Sequence, residues 1–471
     1  MAWIDYLVAV SIAAAPTRPM SADDLLKAHE GHRFVTIPAP CFSPGILGEE
    51  LARLSAAHQP DLRIDVIGHS FRGRDIRMIT MGSGSKGILI WSQMHGDEPS
   101  ATPALLDLAD FLARERTEPR VAGILKAFTL RMIPMLNPDG AEAYERRNAQ
   151  GIDINRDALM LATPEGRLLK AIRDRYEPIL GFNLHDQGRR VTVGGTGLLS
   201  SISLLAVAGD EKGTLTPGRM RAKRVASHIV KVLSPFIPGG IARYDEDWNP
   251  RAFGDNLTAW GSPVVLIESG GFPQGGGFRE LTQLNFVALV SLLDGLARND
   301  LADSPPDIYD ELLRNRSDAY ADVALSGVSI FDPKSSKWFE ADIAFDALTP
   351  DRMLSGCGAT DRTGSRVVEV GDSRVVAAGR RVDGRGLLVV PLSRKANLEK
   401  GEITPEVLGA NRPSVASGVD PRAFLSSLHL SETSLIRNGP ATFLAFVPGA
   451  TGKPGRYYVV IDGAGLPDTL H

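Results

Sequence analysis

The sequence is poor in three things, and each shortage excludes a class of function. It holds two cysteines in 471 residues, Cys41 and Cys357. They are too few and too far apart for a disulfide framework or a cysteine-based zinc knuckle, so both are read as thiols. It has no basic surplus: 52 Lys and Arg stand against 56 Asp and Glu, a formal net charge of -4. A chain so balanced has no electrostatic footprint for nucleic acid. It also lacks an evident membrane span. The apolar run at residues 6–15 is shorter than the roughly 20 residues that a spanning helix needs, and no other segment is a better candidate. That run ends in three alanines before Pro16, like the core and cleavage site of a secretory signal, but Asp5 stands where Lys or Arg belongs. The expectation is a cytoplasmic protein with no membrane partner, a periplasmic or secreted one being the alternative if the run is a signal. Nothing in the sequence fixes the oligomeric state.

What remains is the composition of an ordinary globule, 43% hydrophobic and 23% charged. Single cores rarely grow past about 300 residues, so two domains are expected. From about residue 40, helical and extended patterns alternate. PGILGEELARLSAAH places Leu47, Leu51 and Leu54 on one helical face, and DLRIDVIGHS, RDIRMITMG, GILIWSQM, FTLRMIPML, ILGFNLH and PVVLIESGG read as strands. Helices over TPALLDLADFLARE, TPEGRLLKAIRDRYEP, RMRAKRVASHIVKVLSPF and LTQLNFVALVSLLDGLAR separate or follow them. Such alternation predicts an α/β unit, a sheet with helices packed on it. The polar, Pro-rich NDLADSPP at 299–306 marks a boundary, beyond which short extended runs between Gly, Pro and Asp predict a smaller β-rich domain. The expected division is an N-terminal segment 1–39, an α/β domain 40–298, a linker with a short helix 299–317 and a β-rich domain 318–471. The stretch DVALSGVSIFDPKSSKWFEADIAF in that last domain faintly resembles the small β-domain of amidohydrolases, which implies packing and no chemistry.

The chemistry gathers at strand ends. His95 and Glu98 in WSQMHGDEPS follow the apolar GILIW, and His185 ends ILGFNLH. In open α/β sheets ligands bind outside the carboxyl ends of the strands. Imidazole and carboxylate are zinc ligands, and a catalytic zinc takes about three protein ligands with one position left open. A His-x-x-Glu pair alone is weak, being just as readily a loop histidine beside a solvated glutamate.

The rest of the pattern changes that balance. NPDG at 137–140, ERRN at 145–148, GIDINR at 151–156, LHDQ at 184–187 and VLIESGG at 265–271 follow HGDE in order. Together these closely resemble the zinc carboxypeptidases of peptidase family M14, over residues 40–298. The resemblance implies a mixed, twisted sheet flanked by helices, and one Zn2+ held by His95, Glu98 and His185. It implies that Asp153 hydrogen-bonds the far nitrogen of the first histidine, that Glu268 is the general base and that Arg146 faces the developing oxyanion, with Arg147 as the adjacent alternative. It further implies that Asn155 and Arg156 clamp a terminal carboxylate and that Tyr244 closes on substrate, although its spacing to Glu268 is imperfect and Trp248 lies nearby.

Two segments depart from the family's digestive members. NPRAFGDNLTAWG offers Arg251, Phe253, Gly254 and Asp255 without a clear specificity residue, and HDQGRRVTVGGTG places Arg189 and Arg190 close to the site, either for an acidic substrate or as a solvated rim. The implied function is a metallocarboxypeptidase acting on peptides. The alternative is a zinc amidase or deacylase acting on N-acyl amino acids, modified peptides or cell-wall peptides. Either substrate carries a free carboxylate.

Overall fold

A computed structural model describes residues 19–35, 42–244, 247–272, 277–317, 319–346, 366–391, 443–447 and 456–460. The apolar N-terminal run, Cys41 and Cys357 lie outside the described residues. The chain opens with helices α1 (Ala22–His32) and α2 (Pro44–His58). Ser43 caps α2 by accepting from the Ile46 amide, with Pro44 at the first helical position. Strands β1 (Leu62–His69), β2 (Asp75–Met81) and β3 (Lys86–Trp91) follow, then α3 (Ala101–Arg114), α4 (Pro119–Ala127), β4 (Phe128–Ile133), α5 (Pro138–Ala143), α6 (Pro164–Tyr176) and β5 (Leu180–Asp186). After the two-residue β6 (Thr192–Val193) come β7 (Ile202–Ala206), α7 (Pro217–Leu233), β8 (Ile241–Arg243), α8 (Phe253–Ala259), β9 (Val264–Ser269) and α9 (Phe278–Arg298).

Eight of these strands form one mixed sheet in the order β1-β2-β4-β3-β5-β9-β7-β8. Its centre, β4-β3-β5-β9, is parallel, so four strand ends meet at one edge. Both faces are covered, as parallel strands require. Ile88 and Ile90, Leu180, Phe182 and Leu184, and Val265 and Ile267 pack on one side with helices α1 to α4, α7 and α9. The alternate residues Leu89, Trp91, Val264 and Leu266 pack on the other with α6 and α8. Helix α9 is long and apolar enough to cross a membrane by length and composition, but 72% of its apolar window is buried inside the protein, where it serves as a core helix.

The stretch 299–317, expected as a linker, packs into this first unit. It holds a short helix α10 (Asp307–Asp310), whose Tyr309 is wholly buried in the core and hydrogen-bonds Ala206 N through its hydroxyl at 3.1 Å. It also holds β10 (Asn315–Arg316), which pairs with β6. Beyond it lies a second sheet of seven strands around the 13-residue β11 (Tyr320–Asp332). The fold is therefore a large mixed sheet flanked by helices, followed by a smaller β-rich sheet.

The N-terminal helix is fixed by one buried carboxylate. Asp107 on α3 accepts from Phe34 N and Val35 N, both at 2.9 Å, and contacts His29 Nε2 at 2.9 Å. Asp107→Ala strands these donors away from water, and a single unsatisfied buried group already costs about 1–3 kcal/mol. Chemical denaturation is expected to show a stability loss of about 3 kcal/mol.

Candidate metal centre and catalytic cavity

Register decides which side chains meet. In the parallel β5–β9 pair His185 stands opposite Glu268, and in the antiparallel β9–β7 pair Glu268 stands opposite Ser203. His185 and Glu268 share the face of Leu266, one strand repeat further toward the carboxyl edge. Strand β3 ends at Trp91, and the turn after it carries His95 and Glu98 over the same edge. That turn depends on backbone contact with the NPDG segment. A Cβ on Gly96 would lie 1.9 Å from Gly140 C, so neither HGDE nor NPDG tolerates a side chain at the point where they touch.

The three expected ligands converge. His95 Nδ1 lies 2.8 Å from Glu98 Oε1, His185 Nδ1 lies 2.6 Å from Glu98 Oε2, and the two Nδ1 atoms are 3.1 Å apart. One donor atom from each residue falls within 4.8 Å of the others, and all three residues are buried. Two imidazole nitrogens facing each other beside a carboxylate leave lone pairs aimed at a common point, a donor set that suits a divalent cation. The electrostatics of Glu98 and His185 agree, whereas at His95 burial is outweighed by the neighbouring Glu98 and Asp153, which raise the imidazole. Burial works against a charge on Glu98, but His95 and His185 hold it far below the usual carboxylate range. Burial pushes His185 down, toward the neutral form that can ligate.

Asp153 contacts the far nitrogen of His95, Nε2, at 3.1 Å and also accepts from Asn155 N at 2.9 Å. Arg146 reaches across both acids, to Glu98 Oε1 at 3.1 Å and Asp153 Oδ2 at 3.0 Å. Of the two adjacent arginines it alone lines the cavity beside the cluster. Arg147 is exposed and donates to Gly151 O at 3.0 Å, so its expected alternative role finds no place among the lining side chains.

The cavity measures about 790 Å3 and includes Glu98, Arg146, Asn155, Arg156, Tyr244 and Glu268 in its walls. Glu268 is 6% exposed. Burial pushes its carboxyl well above the ordinary range, and the nearby charges of Glu98 and Asp186 push the same way. The Tyr244 hydroxyl lies beside it, and the Glu268 charge, with burial, raises the phenol. Trp248 is not among the lining residues. Asn155 Oδ1 accepts from Phe253 N at 3.0 Å, which leaves Nδ2 as its donor, and Arg156 Nη1 donates to Asn155 O at 2.7 Å. From the segment expected to shape the pocket, Asp255 lines the cavity, its carboxyl pushed up to about 6 by burial, whereas Phe253 is wholly buried beneath it.

Arg189 and Arg190 are neither a solvated rim nor substrate ligands. Both pair with Asp322 of the second sheet, and Arg190 also meets Asp346 at 3.0 Å. Their charge is spent on docking that sheet. Two residues after His185 were not singled out from sequence. Asp186 accepts from Ser100 N at 3.0 Å, which ties the His95 turn to β5, and burial lifts its carboxyl to about 7. Gln187 lines the cavity and donates to Ser203 Oγ at 2.9 Å. The DQG that follows His185 was their only signal.

The family model described as zinc carboxypeptidase matches residues 49–165. The chain carries an M14 zinc carboxypeptidase domain. Carboxypeptidase 2 of Trichophyton rubrum is 30% identical over 104 residues, 22% of this chain and 19% of that protein. Carboxypeptidase M of Mus musculus is 32% identical over 108 residues, 19% and 24% respectively. The chain thus spans about a fifth of the length of these curated relatives. Among solved structures, a metallo-carboxypeptidase from Burkholderia cenocepacia is 18% identical over 52% of this chain and 68% of that chain, with a TM-score of 0.43. Carboxypeptidase A from Helicoverpa armigera is 16% identical over 60% and 80%, with a TM-score of 0.45.

His185→Ala is expected to abolish stoichiometric metal binding, read by elemental analysis after dialysis. Asp153→Ala is expected to weaken it about 10- to 100-fold, the usual effect of removing the partner of a ligating histidine, read by competition with a chelating dye.

Proposed function

We propose that the chain is a zinc-dependent metallocarboxypeptidase that hydrolyses the C-terminal peptide bond of a substrate with a free carboxylate. One observation carries this reading: Glu98 of the metal-competent His95–Glu98–His185 cluster, a buried Glu268 in register with His185, and Arg156 all border the same cavity. When bound, a zinc ion polarises a carbonyl and lowers the pKa of water.

The chain's own residues supply the rest. Asn155 Nδ2 and Arg156 hold the terminal carboxylate by charge-assisted hydrogen bonds, which sets the scissile carbonyl near the cluster and makes the enzyme an exopeptidase. Glu268 takes a proton from the attacking water and returns it to the leaving amine. Arg146 stands where negative charge develops on the carbonyl oxygen, and a fixed guanidinium there favours the transition state over the ground state. Tyr244, beside Glu268, excludes water from the closed site. The same parts suit the amide bond of an N-acyl amino acid, whose single carboxylate fits the Asn155–Arg156 clamp equally well, so an amidase or deacylase is the second reading.

Glu268→Gln is expected to abolish turnover while metal content stays at that of the unmodified protein; retained activity would remove Glu268 from the mechanism. Because the base works when deprotonated and its pKa is raised, kcat/KM is expected to fall on the acid side at a pH above the ordinary glutamate range. A pH–rate profile with its acid limb at an unperturbed carboxylate value would contradict this. Arg156→Ala is expected to lower kcat/KM on free-acid peptides about 100-fold, as for loss of a charge-assisted contact. An unchanged rate on the free acids would assign the clamp elsewhere.

A further inference from the structure

The two histidines of the metal centre are held unequally. His95 faces the cluster with Nδ1, and its far nitrogen, Nε2, meets Asp153 at 3.1 Å. His185 also faces the cluster with Nδ1, 2.6 Å from Glu98 Oε2, but its Nε2 is buried without a hydrogen-bond partner among the described residues. A neutral imidazole that ligates through one nitrogen carries its proton on the other. His185 Nε2 is then a buried donor that needs an acceptor, and Glu268, in register beside it on β9, does not reach that atom.

An acceptor lies one strand repeat back. Asn183 precedes His185 by two residues on β5, on the same face of the sheet, between Trp91 of β3 and Leu266 of β9. It is wholly buried, and neither Oδ1 nor Nδ2 has a partner among the described residues. The indole Nε1 of Trp91 beside it has none either. Each such group is costly in a core otherwise built here from Leu89, Phe253, Val264 and Leu266. Their grouping makes a small polar patch beneath the metal centre.

The chemistry of the three groups is complementary. Trp91 Nε1 and His185 Nε2 donate, and Asn183 Oδ1 accepts. Residues two apart on a strand are separated by roughly 6.6 Å, close to the span of two hydrogen bonds of about 2.8 Å through one water. Helix α8 covers the amide with Gly254, where a Cβ would already stand 3.8 Å from Asn183 Nδ2. The missing side chain leaves space beside the amide for a buried water, which binds where two to four polar partners converge.

We propose, on the carboxypeptidase reading of the centre, that Asn183 is the positioning residue of His185, acting through one buried water. The water accepts from His185 Nε2 and Trp91 Nε1 and donates to Asn183 Oδ1. His185 is thereby kept in the tautomer with Nδ1 unprotonated and its ring is fixed over the cluster, as Asp153 does directly for His95. A neutral amide achieves this without adding a further negative charge beside Glu98, Asp153, Asp186 and Glu268.

The test compares zinc affinity and metal-free stability in the full chain. Leu matches Asn in branching and cannot accept a hydrogen bond. In Asn183→Leu, zinc affinity read by competition with a chelating dye is expected to fall about 10- to 100-fold. The metal-free variant is expected to unfold at the same denaturant concentration as the unmodified chain or a higher one, because an apolar group has replaced an unsatisfied amide. Asn183→Ser, which keeps an acceptor, should bind zinc nearly as the unmodified chain does. A residue that merely supports the fold would lose metal-free stability together with affinity. Unchanged affinity in Asn183→Leu, equal losses in the Leu and Ser variants, or a loss of metal-free stability in Asn183→Leu overturns the proposal and leaves the carboxypeptidase reading intact. Failure of the unmodified chain to bind zinc overturns both.

Discussion

The account rests on the parallel pairing of β5 with β9. That ladder places His185 beside Glu268 on one face of the sheet, and a slip of one residue would turn either side chain into the opposite core. The apolar residues on the other face, Phe182, Leu184, Val265 and Ile267, are buried against the helices, so hydrophobic packing on one side sets the catalytic register on the other. The loops close on this frame. A Cβ on Gly271, just past β9, would fall 1.8 Å from Arg189 O, so the glycine pair after Glu268 is what lets the His185 loop lie against it.

Once the strand ends meet, the electrostatics follow from crowding. Glu98, Asp153, Asp186 and Glu268 are gathered close to two histidines and one arginine. They do not respond alike. Glu98 and Asp153 each contact a histidine and are held low, while Asp186 and Glu268 have no such partner and are pushed up by burial and by the nearby charge of Glu98. Separating the carboxylates in this way leaves one ready to bind a cation and another suited to accept a proton.

Much of this was legible in the sequence because the relevant signals are local. The periodicity of PGILGEELARLSAAH gives α2 to the residue, and the apolar runs GILIW, ILGFNLH and PVVLIE give three adjacent parallel strands. His95, Glu98, His185 and Glu268 were legible because each sits at the end of such a run. The choice between Arg146 and Arg147 was not, since adjacent positions differ only in which way the turn points them. Nor was the fate of Arg189 and Arg190, whose partner Asp322 lies 132 residues beyond Arg190. Strands β7 and β8 were also missed, being short and, in the case of ISLLA, too brief a run to separate from a helix.

The central claim, a zinc exopeptidase that recognises a free carboxylate, is tested most directly by mass spectrometry of a mixed peptide library incubated with the zinc-loaded protein. Each peptide would be supplied with both a free and an amidated C-terminus. Stepwise loss of single C-terminal residues from the free acids, with their amides left intact, is the predicted result. Cleavage within the chains, equal attack on the amides, or intact peptides despite bound zinc would contradict it.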